Sequence, residues 1–369
     1  MPDAGPDPRS TRARSRRLRL LVLGVVAVVL LGAATLVVIL ARRHGSPTAA
    51  PLPASAISAR RLIGQPRTVG QWPGEHGLSG VNGDPVLDSA HVNAFCAARG
   101  RPCRVTQTYT DRTSWASMTQ QTGWTFDLFA DFAGALVVSQ GLVPTGAEDD
   151  LAGCARGDFD DRWRDFGALM VSHRRGDSVV RLGWEFNEPS MAWRATDTQA
   201  WIECYRHAAD NIRATNPDVL LDWTINAHRT PADLCGGVST NCYPGDDYVD
   251  IVGIDNYDHY PWSPTRDAFD ETAAAPEGLD WLYDFARTHG KLFSVGEWGV
   301  TPVGDAGQEN PDFVRWMHEW FARHAADLAY EAYFTDCSAG GVQSSLFRTD
   351  AGCRPNPRSA QAYRELFGA

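Results

Sequence analysis

From about residue 62 onward, short apolar runs alternate with stretches of helical period. That alternation is the signature of βα units arranged around a parallel sheet. The runs predict strands at Thr68–Gln71, Arg104–Thr108, Ala135–Ser139, Val179–Gly183, Val219–Trp223, Val249–Gly253, Leu292–Gly296 and Leu328–Phe334. Eight strands make a closed (β/α)8 barrel, so residues 62–369 are expected to form one α/β domain of that class. Helix signals fall between the strands. Asp84-Pro85 and Asn310-Pro311 place a capping residue before a first-turn proline, and Thr196 to Gln199 reads as a capping box. Gly100 and Gly290 stand where helices end. Phe313, Trp316, Met317, Trp320 and Phe321 form the apolar stripe of a helix packed on the barrel.

Upstream the pattern changes. Leu20–Ala41 contains no charged residue, and a helix of that length spans about 33 Å, enough to cross a bilayer. Six arginines precede it, and only Arg42 and Arg43 follow. The positive-inside rule then predicts a cytoplasmic tail at 1–19, a transmembrane anchor at 20–41 and a Pro/Ala/Ser linker at 42–61. The folded domain would face outward from the plasma membrane. Secretion after cleavage is the alternative, because Ala54-Ser55-Ala56 resembles a cleavage site.

Charge sharpens the same division. The chain carries a net −11, but residues 1–43 hold eight Arg and two Asp, leaving −17 for the rest. A body so acidic repels phosphates, which excludes nucleic acid as a partner. Eight cysteines, an even count, fit disulfides in an oxidising compartment. Proximity in the chain suggests the pairs Cys96–Cys103, Cys235–Cys242, Cys337–Cys353 and Cys154–Cys204. The histidines show no paired metal-binding spacing, and neither a Walker loop nor a dinucleotide fingerprint occurs, so neither metal nor cofactor is expected. No pairing helix stands out, which leans towards a monomer.

Barrel active sites lie at the C-terminal ends of the strands. Glu185 follows the fourth predicted strand and Glu297 ends the seventh. Two carboxylates facing each other across a barrel mouth suit glycoside hydrolysis, where one acid protonates the leaving oxygen and the other attacks the anomeric carbon. Tyr257, after the sixth strand, is placed to hydrogen-bond Glu297. Flat aromatic faces match the C–H faces of sugars, which nominates Trp72, Trp184, Trp193, Trp262 and Trp298, with Trp223 and Tyr260 weaker. Asn226, His228 and Asp255 are candidate partners for sugar hydroxyls, as is His76.

The segment from Val179 through Glu185 to Asn187 resembles the acid/base motif of glycoside hydrolase family 26, roughly Arg-x-x-His-Glu-Met-Asn-Gly. Tyr243 to Tyr257 and Gly296-Glu297-Trp298-Gly299 are similar to its sixth-strand and nucleophile segments. The resemblance implies a retaining barrel glycosidase acting on mannan, mixed-linkage glucan or β-1,3-xylan. It makes Glu185 the acid/base, Glu297 the nucleophile and Tyr257 the residue that orients it, with Arg181 and Asn187, at family spacing, as substrate-binding candidates. Two departures stand out. Trp184 replaces the usual histidine, and an indole can donate but not accept a hydrogen bond. Glu188 replaces glycine, and Asn187-Glu188-Pro189 also looks like the acid/base motif of related barrels, which leaves Glu188 as an alternative acid. A glycan-binding barrel without activity and a transglycosylase remodelling surface polysaccharide are the rival readings.

Overall fold

The computed structural model describes residues 58–84, 86–259, 261–348 and 352–368. The expected tail, anchor, most of the linker and Tyr260 lie outside them. Among the described residues no helix is long and apolar enough to cross a membrane.

Eight parallel strands close into a barrel in sequence order: β1 (Ser79–Asn82), β2 (Val105–Tyr109), β3 (Ala135–Gln140), β4 (Val179–Leu182), β5 (Leu220–Asn226), β6 (Ile251–Tyr257), β7 (Leu292–Gly299) and β8 (Leu328–Phe334). Seven agree with the apolar runs. The first does not: Thr68–Gln71 is loop, and the strand is Ser-Gly-Val-Asn, with a single large apolar side chain. Gly80 is required there, since a Cβ would sit 1.7 Å from the Val105 carbonyl oxygen of β2.

Helix ends follow local chemistry, sometimes a residue or more from where it was expected. The helix Ser89–Arg99 is capped by Asp88, whose carboxylate accepts from the His91 N–H, and so begins after Asp84. The helix Thr198–Thr215 is capped by Asp197, not Thr196. Asn310 and Gly100 act as expected. A short helix, Ala59–Ile63, lies within the stretch read as linker. It buries Ala59 and Ile63 against Leu78, Val105, Ala135, Val179, Leu220 and Ile251. Those residues begin their strands or sit beside the beginnings, so this helix closes the end of the barrel opposite the mouth.

Side chains alternate along each strand between the barrel interior and the layer under the helices. The outer layer is apolar and aromatic: Trp223 meets Phe285, and Trp298, Tyr333 and Phe293 meet Trp320, Phe321, Tyr363 and Phe367 of the helices. The interior of the upper barrel is polar instead, with Asp222, Thr224, Ser294, Tyr330, Arg181 and Asp255 joined by hydrogen bonds. Gly253 makes room for that network, because a Cβ there would lie 2.5–2.6 Å from Ser294, Asp222 and Thr224 oxygens.

All four expected disulfides form, Cys96–Cys103, Cys154–Cys204, Cys235–Cys242 and Cys337–Cys353. They differ in the chain they enclose. Cys154–Cys204 links residues 50 apart and Cys235–Cys242 residues 7 apart, for which loop closure gives about 4 and about 2 kcal/mol respectively. Replacing Cys154 and Cys204 together by serine should therefore lower the denaturation midpoint more than the same change at Cys235 and Cys242. The reverse order in urea titrations would contradict this.

Candidate active site

The centre of the mouth is built on Arg181 of β4, whose side chain is fully buried. One terminal nitrogen donates to Glu297 Oε1 at 2.9 Å and to Ser139 Oγ at 3.2 Å; the other binds Asp255 Oδ2. Burial works against its charge, but Asp255 and Glu297 hold the guanidinium protonated well above its ordinary value. Asp255 and Arg181, read from the sequence as sugar contacts, are therefore occupied with each other beneath the floor of the cleft.

Glu297 reaches this position through an irregularity in β7. Ile254 pairs with Val295 and Asp255 pairs with Glu297, so Gly296 is an extra residue with no partner in β6. A bulge of this kind re-aims the side chains beyond it. Ser294 points inward to Asp222, and strict alternation from there would send Glu297 outward and Trp298 inward. With the bulge, Glu297 faces the interior and Trp298 the outer layer. Only glycine fits at 296, because a Cβ would lie 2.8 Å from Arg181 Nε.

Four donors then hold the Glu297 carboxylate. Oε1 accepts from Gln107 Nε2 (3.2 Å), Tyr109 Oη (2.9 Å) and Arg181, and Oε2 accepts from Tyr257 Oη at 2.8 Å. Burial and the negative charge of Glu297 push both phenols well above their usual range, so they remain neutral donors. The Tyr257 contact agrees with the sequence reading. Gln107 and Tyr109 at the end of β2 were missed; two polar-capable side chains at a strand's C-terminal end, both of inward parity, were the available signal.

Glu185 sits on the turn after β4 with a left-handed backbone, φ 52°, following Gly183 at φ 60°. Its N–H is tied to the Thr224 carbonyl at 2.9 Å, and Asn226 Nδ2 donates to its Oε1 at 3.1 Å. Asn187 in turn clamps Asn226, accepting from its N–H at 2.8 Å and donating to its carbonyl at 2.9 Å. Burial, then the charge of Glu297, pushes the Glu185 carboxyl up to about 8. One carboxylate oxygen from each of Glu185, Asp255 and Glu297 lies within 4.8 Å of the others. Glu188, the alternative acid, is half-buried on the outer turn, where its carboxylate accepts from Ser190 N–H at 3.4 Å. Glu185, and not Glu188, lines the cleft with Glu297.

That cleft has a volume of about 510 Å³ and is walled by the loops after β1, β2 and β4. Trp184 lines it and receives the Arg112 guanidinium on its ring face, 5.2 Å from the centroid. Arg112 was also missed by sequence reasoning. The other nominated aromatics lie elsewhere. Trp193 is buried behind Trp184, donating its indole N–H to the Trp184 carbonyl at 2.7 Å. Trp298 is buried in the outer layer, its N–H 2.6 Å from Glu331 Oε2, because of the bulge. Trp72 donates to the other oxygen of Glu331 at 3.3 Å; it is no strand end, since the first strand lies further along. Trp223 is buried between Phe186 and Phe285. Trp262 lines a separate cavity of about 240 Å³ with Asp258 and His259. His228 is half-buried, and desolvation lowers its pKa; its backbone N–H donates to the Glu277 carbonyl. His76 precedes β1 and so belongs to the opposite end of the barrel.

An opposed pair of buried carboxylates at the C-terminal mouth of a (β/α)8 barrel is the layout of a catalytic cleft. The resemblance read from the motifs reappears in comparisons with known proteins. The description "Glycosyl hydrolase family 26" matches residues 205–294, a segment that holds Asn226, Asp255 and Tyr257 and lies between the two glutamates. A mannan endo-1,4-β-mannosidase of Bifidobacterium adolescentis is 25% identical over 228 residues, 57% of this chain and 21% of that protein. Endoglucanase H of Acetivibrio thermocellus is 25% identical over 183 residues, 48% of this chain and 18% of its own length. The chain thus spans about a fifth of each of these relatives. In fold, a Cellulomonas fimi endo-β-1,4-mannanase superposes with a TM-score of 0.58 at 19% identity, covering 86% of this chain and 76% of the other. The chain resembles family 26 in its motifs, in its central segment and in its fold.

The raised carboxyl of Glu185 has a consequence for stability. The unfolded chain releases this proton near 4.5, whereas the folded protein keeps it up to about 8. Between these values the folded state binds more protons, so this residue's contribution to stability falls as pH rises through the window. Glu185→Gln removes that titration. Its melting temperature should exceed the parent's by a margin that grows from pH 4.5 to pH 8; a margin independent of pH would refute the raised carboxyl.

Proposed function

We propose that the chain is a retaining, endo-acting glycoside hydrolase of the family 26 type. It would cleave a β-linked polysaccharide of the mannan or β-glucan class by double displacement. The observation that carries this reading is the unequal treatment of two facing carboxylates. Arg181 and three neutral donors stabilise a charge on Glu297, while burial keeps Glu185 protonated up to about 8. A glycosidase needs one acid and one anion, set apart by environment. The 4.8 Å limit on their oxygens is close to the roughly 5–5.5 Å of retaining pairs and below the roughly 6.5–9.5 Å of inverting pairs. The names of the relatives, a mannosidase and an endoglucanase, favour a β-glycan.

In this mechanism Oε2 of Glu297, which accepts only the Tyr257 hydrogen bond, has a lone pair free to attack the anomeric carbon. The bond to the leaving oxygen breaks as Glu185 gives that oxygen its proton. Glu185, now a carboxylate held by Asn226, takes a proton from water, whose oxygen displaces Glu297 and leaves the anomeric configuration retained. The full set of donors around Glu297 supports catalysis over a silent glycan-binding barrel. We place this activity on a monomeric exported domain, tethered through residues 20–41 or released by cleavage; four disulfides support an oxidising compartment.

Glu297→Ala should abolish release of reducing sugar from the mannan or β-glucan that the parent cleaves. Glu185→Ala should lose about 10²–10⁴-fold and recover on an aryl glycoside with a good leaving group when azide is added, yielding the β-glycosyl azide. Since the acid must hold its proton, parental kcat/KM should decline as pH rises through about 8. Parent-like turnover in either variant would overturn that residue's role.

A further inference from the structure

The cavity that holds the two glutamates also has an apolar portion of its lining, different in character from them. Leu87, Trp124 and Leu128 belong to that lining, with Val86 and Phe129. Trp124 is 56% exposed, Leu87 58% and Leu128 41%, among only six large apolar side chains that stand out in this way in the described residues. Half of that set therefore lines one cavity, the one that also contains Glu185 and Glu297. Soluble domains rarely gather exposed apolar side chains without a ligand or partner for them.

The local structure explains why Trp124 stays outside. It lies in the short helix Gly123–Asp127, whose inner face is packed: Thr125 and Phe126 are buried, and Phe126 meets Phe166 and His173. Thr125 Oγ1 donates to the Thr122 carbonyl at 2.8 Å, fastening the turn. Gly123 is pressed against His173, where a Cβ would be 2.3 Å from Nε2. Anchored on that side, the helix presents its indole outward. Among the described residues Trp124 has neither a ring partner nor an acceptor for its N–H.

We propose that Trp124, flanked by Leu87 and Leu128, is a distal sugar platform. A neutral pyranose of the same chain that is cut between Glu185 and Glu297 lays its C–H face on this indole. The proposal rests on the hydrolase reading and names how that enzyme selects long chains. Continuity of the cavity with the catalytic pair argues for a glycan over a protein partner, and the acidic body argues against an anionic chain. Contacts remote from the reacting bond raise kcat as well as affinity, so substrates too short to reach them react more slowly.

The test compares full-length parent, Trp124→Ala and Trp124→Phe on soluble β-1,4-mannan, mixed-linkage β-glucan and a dinitrophenyl β-disaccharide too short to extend far from the carboxylates. The ratio of kcat/KM on the cleaved polysaccharide to that on the disaccharide should fall roughly tenfold in Trp124→Ala, the scale of one lost aromatic contact. Trp124→Phe should restore most of it. An unchanged ratio overturns the platform, even with the hydrolase reading intact. If the parent cleaves nothing, that reading fails separately, and affinity electrophoresis in gels containing either polysaccharide decides the platform. Retardation that Trp124→Ala loses supports it; equal mobility of parent and variant overturns it.

Discussion

A guanidinium without solvent sits near the axis of this barrel, and the site is arranged around its neutralisation. Removing an arginine from water is costly unless opposite charge and acceptors surround it. Asp255 and Glu297 supply the charge, and Ser139 and Thr224 supply acceptors. The arrangement works in both directions. Glu297 is oriented by its bond to Arg181, while Glu185, across the mouth and without a hydrogen bond to an arginine, is governed first by desolvation and then by the repulsion of Glu297. One buried cation thus gives the two acids different surroundings.

Position in the strand makes that arrangement possible. Gly296 adds a single residue to β7 and reverses the facing of everything after it. Glu297 turns into the barrel and Trp298 into the aromatic layer, where it shares the buried Glu331 carboxyl with Trp72. Burial raises Glu331 to about 7, so an acid in the outer layer is satisfied by indoles instead of by a base. The same glycine lets Arg181 pass close to the backbone of β7. Catalytic geometry and outer packing therefore depend on one residue that has no side chain.

Much of the barrel was legible because seven strands are carried by β-branched and aromatic runs whose burial demands that pattern. The first strand was not, since the close approach of Gly80 and polar ends replace the apolar signal in Ser79–Asn82, and a run at Thr68–Gln71 drew the assignment. Glu185, Glu297 and Tyr257 could be found from strand-end position and motif. Their helpers were harder. Gln107 and Tyr109 look like ordinary strand residues until the closed barrel sets β2 opposite β7. Trp298 and Trp72 were misplaced for geometric reasons, a bulge in one case and a displaced strand in the other. Neither is encoded in composition or periodicity.

The helix Ala59–Ile63 has a mechanical meaning. By plugging the strand origins it makes the described chain enter at the pole opposite the cleft. The strand origins are thus closed, and the length of the strands separates that closed pole from the cleft.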